Sequence, residues 1–130
     1  MNATFSTPDS TATISLLSPK GHVDVDRQDI VRCQSDSNYT LFYLKDGQKL
    51  IMAKTLRHYE QVLSGSDFVR VHKSHLVNRE HIEKFVDRKF GAVKMSDGST
   101  IDISFRKKNA VTKFLQPYLS MKNQMRKLAS

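Results

Sequence analysis

Short runs of apolar residues recur along the chain, and clusters of turn-forming residues separate them. Residues 39–44 are dense in aromatic and β-favouring side chains, and the Asp46-Gly47 pair that follows is typical of a tight hairpin turn. A second such pair, Asp97-Gly98, separates two later runs. Because no long helix divides the runs, they predict antiparallel sheets. About nine short strands are expected, at residues 14–17, 23–25, 39–44, 48–52, 68–71, 74–78, 82–86, 92–95 and 100–103.

A first helix is expected after the fourth of these strands. Thr55 is the predicted N-cap, because its hydroxyl can accept a hydrogen bond from the first helical turn. Leu56, Tyr59 and Leu63 then fall at helical spacing and form one apolar stripe. Residues 64–66, Ser-Gly-Ser, are expected to end the helix.

A second helix is expected at the C-terminus, where an apolar stripe recurs at helical spacing. Its members are Val111, Phe114, Leu115 and Tyr118. Pro117 lacks a backbone N–H and is expected to interrupt or kink this helix. Residues 120–130 are basic and either continue as an exposed helix or fray.

The length of 130 residues suits one domain, and a hydrophobic share of 38% allows a modest core. Residues 1–12 are rich in Ser and Thr and are interpreted as a disordered leader or linker, residues 13–119 as the domain and residues 120–130 as a basic tail. No apolar run approaches the ~18–20 residues that a membrane span needs. The N-terminus also lacks the basic and apolar regions of a secretory signal.

Cys33 is the only cysteine, which excludes an internal disulfide and a CxxC-type zinc site. A reducing, cytoplasmic compartment is therefore expected. Cys33 is also expected to end a further apolar strand, in which alternation from Ile30 places Ile30, Arg32 and Gln34 on one face, and Val31 and Cys33 on the other. We expect Val31 and Cys33 to point inward, with Cys33 acting as a small hydrophobic residue.

The net charge of +8 is concentrated in the second half of the chain. Residues 1–65 carry seven basic and seven acidic residues, whereas residues 66–130 carry fourteen and six. This asymmetry is consistent with a polyanionic partner, nucleic acid first and an anionic membrane second, and equally with a basic surface that serves only solubility.

Three polar segments are candidates for binding such a partner. In residues 35–38, Asn38 is either a turn residue or a reader of a base edge, since its amide both donates and accepts. In residues 70–79, apolar residues are expected to anchor the backbone, while the polar side chains share one exposed rim. In residues 104–109, Ser104 or a neighbour could cap the helix, but three consecutive cations oppose the helix dipole unless a phosphate lies there.

Catalysis and metal binding are weaker interpretations of the same residues. Ser74 with His72 or His75 suggests a nucleophile and a base, but no G-x-S-x-G setting surrounds it and nothing marks an orienting carboxylate. His72, His75 and His81 suggest metal ligands, but no carboxylate pair or CxxC supports them. We expect no enzyme activity, no metal and no cofactor.

The segment FVRVHKSHLVN, residues 68–78, resembles the signature of the LytTR DNA-binding domain, F-x-R-x-H-x-S-[FY]-[LIV]-V-N. Several other stretches are similar to that family: residues 29–31, 38–40, 55–56, 97–98 and 104–106. The likeness extends over roughly residues 15–119. It implies a mainly β fold in which small antiparallel sheets of about ten short strands are joined by two short helices.

In that family, loops rather than a recognition helix enter successive major grooves. By position, the resemblance makes Asn38, Asn78 and Arg106 the base-reading candidates. It makes a second set either contacts to the DNA backbone or loop supports: Arg70, His72, Lys73, Ser74, Arg79, Lys107 and Lys108. His75 stands where the family prefers an aromatic residue, and Phe105 where many members carry arginine.

The resemblance also implies partners. These are double-stranded DNA with paired direct repeats, a second copy of the chain on DNA, and an upstream phosphoacceptor receiver domain or sensor kinase. The chain is then a stand-alone regulator or an excised output domain, bacterial and cytoplasmic, that regulates transcription without a membrane partner. The rival hypothesis is a small β-barrel that binds single-stranded nucleic acid, for which only the cluster Tyr39, Phe42 and Tyr43 offers stacking surfaces.

Overall fold

The structure is a computed structural model that describes residues 13–65, 67–86 and 90–129. The predicted leader, residues 1–12, lies outside the described residues. The described part contains two helices, α1 (Leu56–Val62) and α2 (Lys108–Ala129). It also contains ten strands: β1 (Thr13–Ser18), β2 (Gly21–Asp26), β3 (Ile30–Asp36), β4 (Tyr39–Leu44), β5 (Lys49–Met52), β6 (Phe68–His72), β7 (His75–Asn78), β8 (Ile82–Val86), β9 (Ala92–Met95) and β10 (Thr100–Asp102).

The strands form three small antiparallel sheets. A hairpin pairs β1 with β2, and a three-stranded sheet has the order β10-β9-β8. The five-stranded sheet has the order β5-β4-β3-β7-β6, so β3 is its central strand. The predicted fold class, mainly β with small antiparallel sheets, is confirmed.

Both predicted Asp-Gly turns are present, and the same chemistry closes each. Gly47 and Gly98 adopt φ angles of 93° and 92°, in the left-handed region that glycine tolerates best. The Asp46 carboxylate accepts a hydrogen bond from the Gln48 amide at 2.9 Å, and Asp97 accepts from Ser99 at the same distance. Local side-chain hydrogen bonds thus fix two hairpins that the sequence pattern predicts.

Two hydrophobic cores lie on opposite faces of β3. Ile30 and Cys33 belong to one core with Phe42 and Tyr59, whereas Val31 belongs to the other. The prediction that Val31 and Cys33 are both buried is confirmed, but the prediction that they share a face is wrong. A bulge between Ile30 and Arg32 shifts the alternation by one residue, which turns Val31 to the opposite side.

Helix α1 follows the prediction closely. The Thr55 hydroxyl accepts a hydrogen bond from the His58 amide at 3.4 Å. Leu56, Tyr59 and Leu63 are buried, and the ring of Tyr59 meets Phe42 edge-to-face at 5.0 Å. The apolar stripe therefore attaches this short helix to the first core.

Helix α2 is more continuous than predicted at Pro117, and it extends through residues 120–129, which is one of the two alternatives for that segment. It runs for 22 residues through Pro117 without a break. Its buried stripe is Val111, Leu115 and Leu119, so core contacts hold the helix on both sides of the proline. Phe114, a member of the predicted apolar stripe, is 44% exposed. Neither described helix is long and apolar enough to cross a membrane.

Candidate nucleic-acid interface

Strand pairing brings two of the predicted polar loops to one end of the five-stranded sheet. Because β3 and β7 are antiparallel, with Gln34 opposite His75, the end of β3 lies beside the start of β7. The amide of Ser35 donates to the carbonyl of Ser74 at 3.0 Å, which links the two loops directly. The β3–β4 turn and the β6–β7 loop therefore emerge together.

The junction between β10 and α2 joins the same end. The amide of Ser104 donates to the carbonyl of Val71 at 2.7 Å, next to the β6–β7 loop. We call the three segments together, residues 37–38, 72–74 and 104–108, the three-loop surface. They are far apart in sequence, and only the fold makes them neighbours.

Asn38 lies at the tip of the β3–β4 turn and is exposed. The preceding residue, Ser37, has a φ of 56°, which is unusual for a residue with a side chain and turns the chain tightly. Tyr39, next in the chain, is 46% exposed. The turn thus presents an amide and part of an aromatic ring to a ligand.

Arg70 braces the β6–β7 loop from within the protein. Its Nε donates to the carbonyl of His72 at 2.8 Å and its Nη2 to the carbonyl of Lys73 at 2.5 Å. Its Nη1 lies 2.6 Å from Oε1 of Glu60 on α1. Only 17% of the side chain is exposed, so of the two roles considered for Arg70, contact with DNA or loop support, the geometry favours support.

His72 and Ser74 form the tip of this loop. Nδ1 of His72 accepts a hydrogen bond from the Ser74 amide at 3.0 Å, so the contact uses the backbone of Ser74 and not its hydroxyl. The ring of His72 lies 5.3 Å from that of His75. Burial, with a smaller contribution from the charges of His72 and Arg32, lowers the pKa of His75 to about 4. His75 is therefore neutral near pH 7.

This arrangement has little of what catalysis or metal binding needs. The imidazole of His72 contacts a backbone amide where a catalytic pair would have a hydroxyl. Among the described residues, no three His, Cys, Asp or Glu side chains are placed to hold a metal ion. His81 lies elsewhere and contacts Ser96 and the carbonyl of Gln28, so it does not join the other two histidines.

The β10–α2 junction exposes its side chains at the start of a helix. A single 3₁₀ turn spans Phe105–Lys107, and Ser104, a candidate cap, makes no side-chain capping bond to it. Arg106 and Lys107 are exposed, Lys108 is half-buried, and no acidic residue occupies the first turn. The positive end of the helix dipole therefore adds to the charge of these cations.

A cleft of about 740 Å³ lies between the β6–β7 loop and the junction. Its lining includes Glu60, Arg70, His72, Lys73 and residues 104–107. Glu60 pairs with Arg70, which leaves Lys73, Arg106 and Lys107 as the cations that face the cleft. A second cleft of about 830 Å³ shares Phe105 and Arg106 and adds Lys108 and Lys113.

Asn78 and Arg79 lie at the other end of β7, and their side chains contact other groups of the protein. Asn78 is 2% exposed; its Nδ2 donates to the carbonyl of Ile30 at 3.0 Å, and its Oδ1 accepts from the Glu80 amide at 3.0 Å. The guanidinium of Arg79 lies 4.2 Å from the ring centre of Tyr118. The expectation that the polar residues of 70–79 share one rim is wrong, because β7 separates them, and burial opposes the base-reading role of Asn78.

Sequence reasoning missed two members of the site. Glu60 lies on α1, ten residues before its partner Arg70, and no local pattern connects them. Lys113 lines the second cleft together with Asn109, which lies four residues before it and so on the same face of α2. Helical spacing could have placed Lys113 near the junction, whereas the pairing of Glu60 required the tertiary fold.

Comparison with known proteins agrees with this geometry. The family model of the LytTr DNA-binding domain matches residues 20–116. A solved structure with the same fold is the LytTr DNA-binding domain of a protein assigned as a methyl-accepting/DNA response regulator, from Bacillus cereus. The two chains are 19% identical with a TM-score of 0.68, and the match covers 80% of this chain and 96% of the other. No curated protein matches the chain.

Proposed function

Since the chain belongs to the LytTr DNA-binding domain family, a non-enzymatic family that binds DNA and regulates transcription, we propose that it binds double-stranded DNA through the three-loop surface. The loops enter the major groove, which is about 12 Å wide and exposes a distinct pattern of groups for each base pair. The β6–β7 loop and the β10–α2 junction enter together, because the Ser104–Val71 hydrogen bond holds them side by side.

The observation that carries this proposal is a set of cations that make no ion pair among the described residues. Lys73, Arg106 and Lys107 face one cleft, and its single carboxylate is already paired with Arg70. In the described residues, the ion pairs join Lys45 to Asp29, Arg70 to Glu60 and Arg79 to Asp67, and none uses those three cations. Cations that make no ion pair within the protein are free to neutralise the phosphates of a DNA backbone.

The geometry supports a division of roles among the predicted residues. Asn38 and Arg106 are exposed and read bases; Lys73, Ser74, Lys107 and Lys108 contact phosphates. Arg70 and His72 support the β6–β7 loop through their contacts with its backbone. Two residues leave the DNA-contacting set, because Asn78 is buried and Arg79 packs on aromatic rings of α2.

The single-stranded alternative finds less support. Phe42 is fully buried, and the ring of Tyr43 is covered by the guanidinium of Arg32, whose carbon lies 3.7 Å from the ring centre. Of the three aromatic residues that could stack on bases, only Tyr39 is exposed. One ring does not form the stacking platform that successive unpaired bases require.

The setting of the protein is part of the proposal. It acts in the bacterial cytoplasm, on paired direct repeats that two copies of the chain occupy together. It serves either alone or as the output domain of a response regulator, downstream of a receiver domain or sensor kinase. No cofactor takes part.

Selection from a random duplex pool tests the proposal. We expect enrichment of paired direct repeats, and at least roughly tenfold weaker binding of the selected duplex by the Lys73→Ala/Lys107→Ala double variant. Lys45→Ala is the matched control, because Lys45 lies in the β4–β5 turn at the opposite end of the sheet. Failure of any duplex to enrich, or equal weakening by the control, would contradict the proposal.

A further inference from the structure

Phe105 is an apolar side chain in the most basic part of the three-loop surface. It is 89% exposed and stands between Ser104 and the cations Arg106, Lys107 and Lys108. Isolated exposed apolar residues are common, so exposure alone carries no functional meaning. The position of Phe105 among cations is informative, because a side chain without charge cannot pair with phosphates as its neighbours can.

The fold holds Phe105 outward. Ser104 is tied to β6 through the carbonyl of Val71 at 2.7 Å, and Lys107 donates back to the Ser104 carbonyl at 2.9 Å. Ile103 on one side and Val111 on the other are buried in the second core. Phe105 therefore lies on a short, anchored turn, and little conformational freedom remains to be lost on binding.

Phe105 and Arg106 form the ridge between two clefts. Both residues line the cleft of about 740 Å³ and the cleft of about 830 Å³. A ligand that fills either cleft meets both side chains. Because both side chains line the same clefts, Phe105 is available to contact the base pair that Arg106 reads or an adjacent one.

We propose, on the basis of the double-stranded DNA binding proposed above, that Phe105 contacts the 5-methyl group of a thymine next to the base that Arg106 reads. The 5-methyl group of thymine is the one apolar feature that the four bases present in the major groove. Contact with the ring removes apolar surface of both groups from water. Phe105 thereby adds a preference for thymine to the base preference of Arg106.

Replacement of single thymines by deoxyuridine in the selected duplex tests this inference, because it removes one methyl group and keeps every hydrogen-bonding group. For the native chain, we expect one replacement to weaken binding about threefold to tenfold. With Phe105→Ala, the same replacement should have no effect, and with Phe105→Leu it should keep part of its effect. Because Phe105 is exposed, both variants should unfold at the same denaturant concentration as the native chain.

Other outcomes separate this inference from the proposed function. An enriched duplex whose thymines can all be replaced without effect, or whose sensitivity persists in Phe105→Ala, overturns the methyl contact and leaves DNA binding intact. A native chain that bends the duplex, together with a Phe105→Ala variant that does not bend it but keeps its methyl sensitivity, indicates a ring inserted between base steps, which also overturns the inference. If no duplex enriches, the proposed function fails, and the inference fails with it.

Discussion

The two ends of β7 use similar residues in opposite ways. At its start, Lys73 is exposed at a cleft, and Ser74 forms the tip of the loop. At its end, Asn78 is buried and Arg79 covers the rings of Tyr118 and Phe114 at 4.2 and 5.6 Å. Four strand residues separate the two ends, a distance of roughly 13 Å. A polar side chain in residues 70–79 is available to a ligand only when it is not already bonded to or packed against another group of the protein.

The same contrast appears in the cations. Near the end of β7, where Asn78 is buried, the cations bind backbone groups of the protein. Arg27 donates to the carbonyls of Leu63 and Ser64, and Lys122 donates to those of Glu80 and Ile82. Around the three-loop surface, Arg70 is the cation that makes such internal contacts, and it thereby fixes the loop that carries Lys73. Internal pairing of one cation thus holds its neighbours in place for a ligand.

Of the substitutions at the two ends of β7, Asn78→Ala is expected to have the largest effect. Asn78→Ala should lower the free energy of unfolding by about 2–4 kcal/mol, because it leaves the Ile30 carbonyl and the Glu80 amide without their partner. Asn38→Ala, on the exposed turn, should change stability by less than about 0.5 kcal/mol. Urea unfolding measures both. If Asn78→Ala unfolds like the native chain but loses preference for the selected duplex, the assignment of Asn78 to the interior is wrong.

Arg106 should give the next largest effect, on binding rather than on stability. Arg106→Ala should cost about 1–3 kcal/mol on the selected duplex and relax the preference at one base pair. Arg106→Lys keeps the charge but loses the planar fork that matches guanine O6 and N7, so it should restore only non-specific binding. Binding titrations with the selected duplex and with a scrambled duplex separate specific from non-specific binding. Full discrimination by Arg106→Lys, or equal weakening on both duplexes by Arg106→Ala, would show that Arg106 contacts only phosphate.

Local sequence patterns predict much of this fold. They do not predict which of the candidate site residues are exposed and which are buried. The Asp-Gly turns, the Thr55 cap and the strands follow from short-range chemistry, and each prediction is confirmed. The bulge after Ile30 and the passage of α2 through Pro117 depend on packing that no local pattern reports. The burial of Asn78 is of the same kind, since its amide contacts the Ile30 carbonyl, 48 residues away in the chain.

A moderate effect of pH is expected at His75, which begins β7. Burial lowers its pKa to about 4 in the folded chain, against an ordinary value of 6.5. The unfolded chain therefore binds the proton more readily, and this contribution to stability is present above pH 6.5 and lost as the pH falls toward 4. The slope should not exceed about 1.4 kcal/mol per pH unit.

Urea unfolding of the native chain and of His75→Phe between pH 4 and 7 measures this contribution. The aromatic variant cannot take up a proton, so its stability should fall less over that range. Equal pH dependence of the two proteins would show that His75 is not the group responsible.

The smallest effect is expected in the salt dependence of binding. Each phosphate contact contributes about −0.9 to the slope of log affinity against log salt concentration on double-stranded DNA. Lys73→Ala and Lys107→Ala should each reduce the slope by about one unit and weaken all duplexes alike, since phosphates carry no sequence information. Lys45→Ala should leave the slope unchanged, because Lys45 is paired with Asp29 at the other end of the sheet. If Lys45→Ala altered the slope as much as Lys73→Ala, the net charge of the protein would explain the binding. The loop at the start of β7 would then have no special role in contacting DNA.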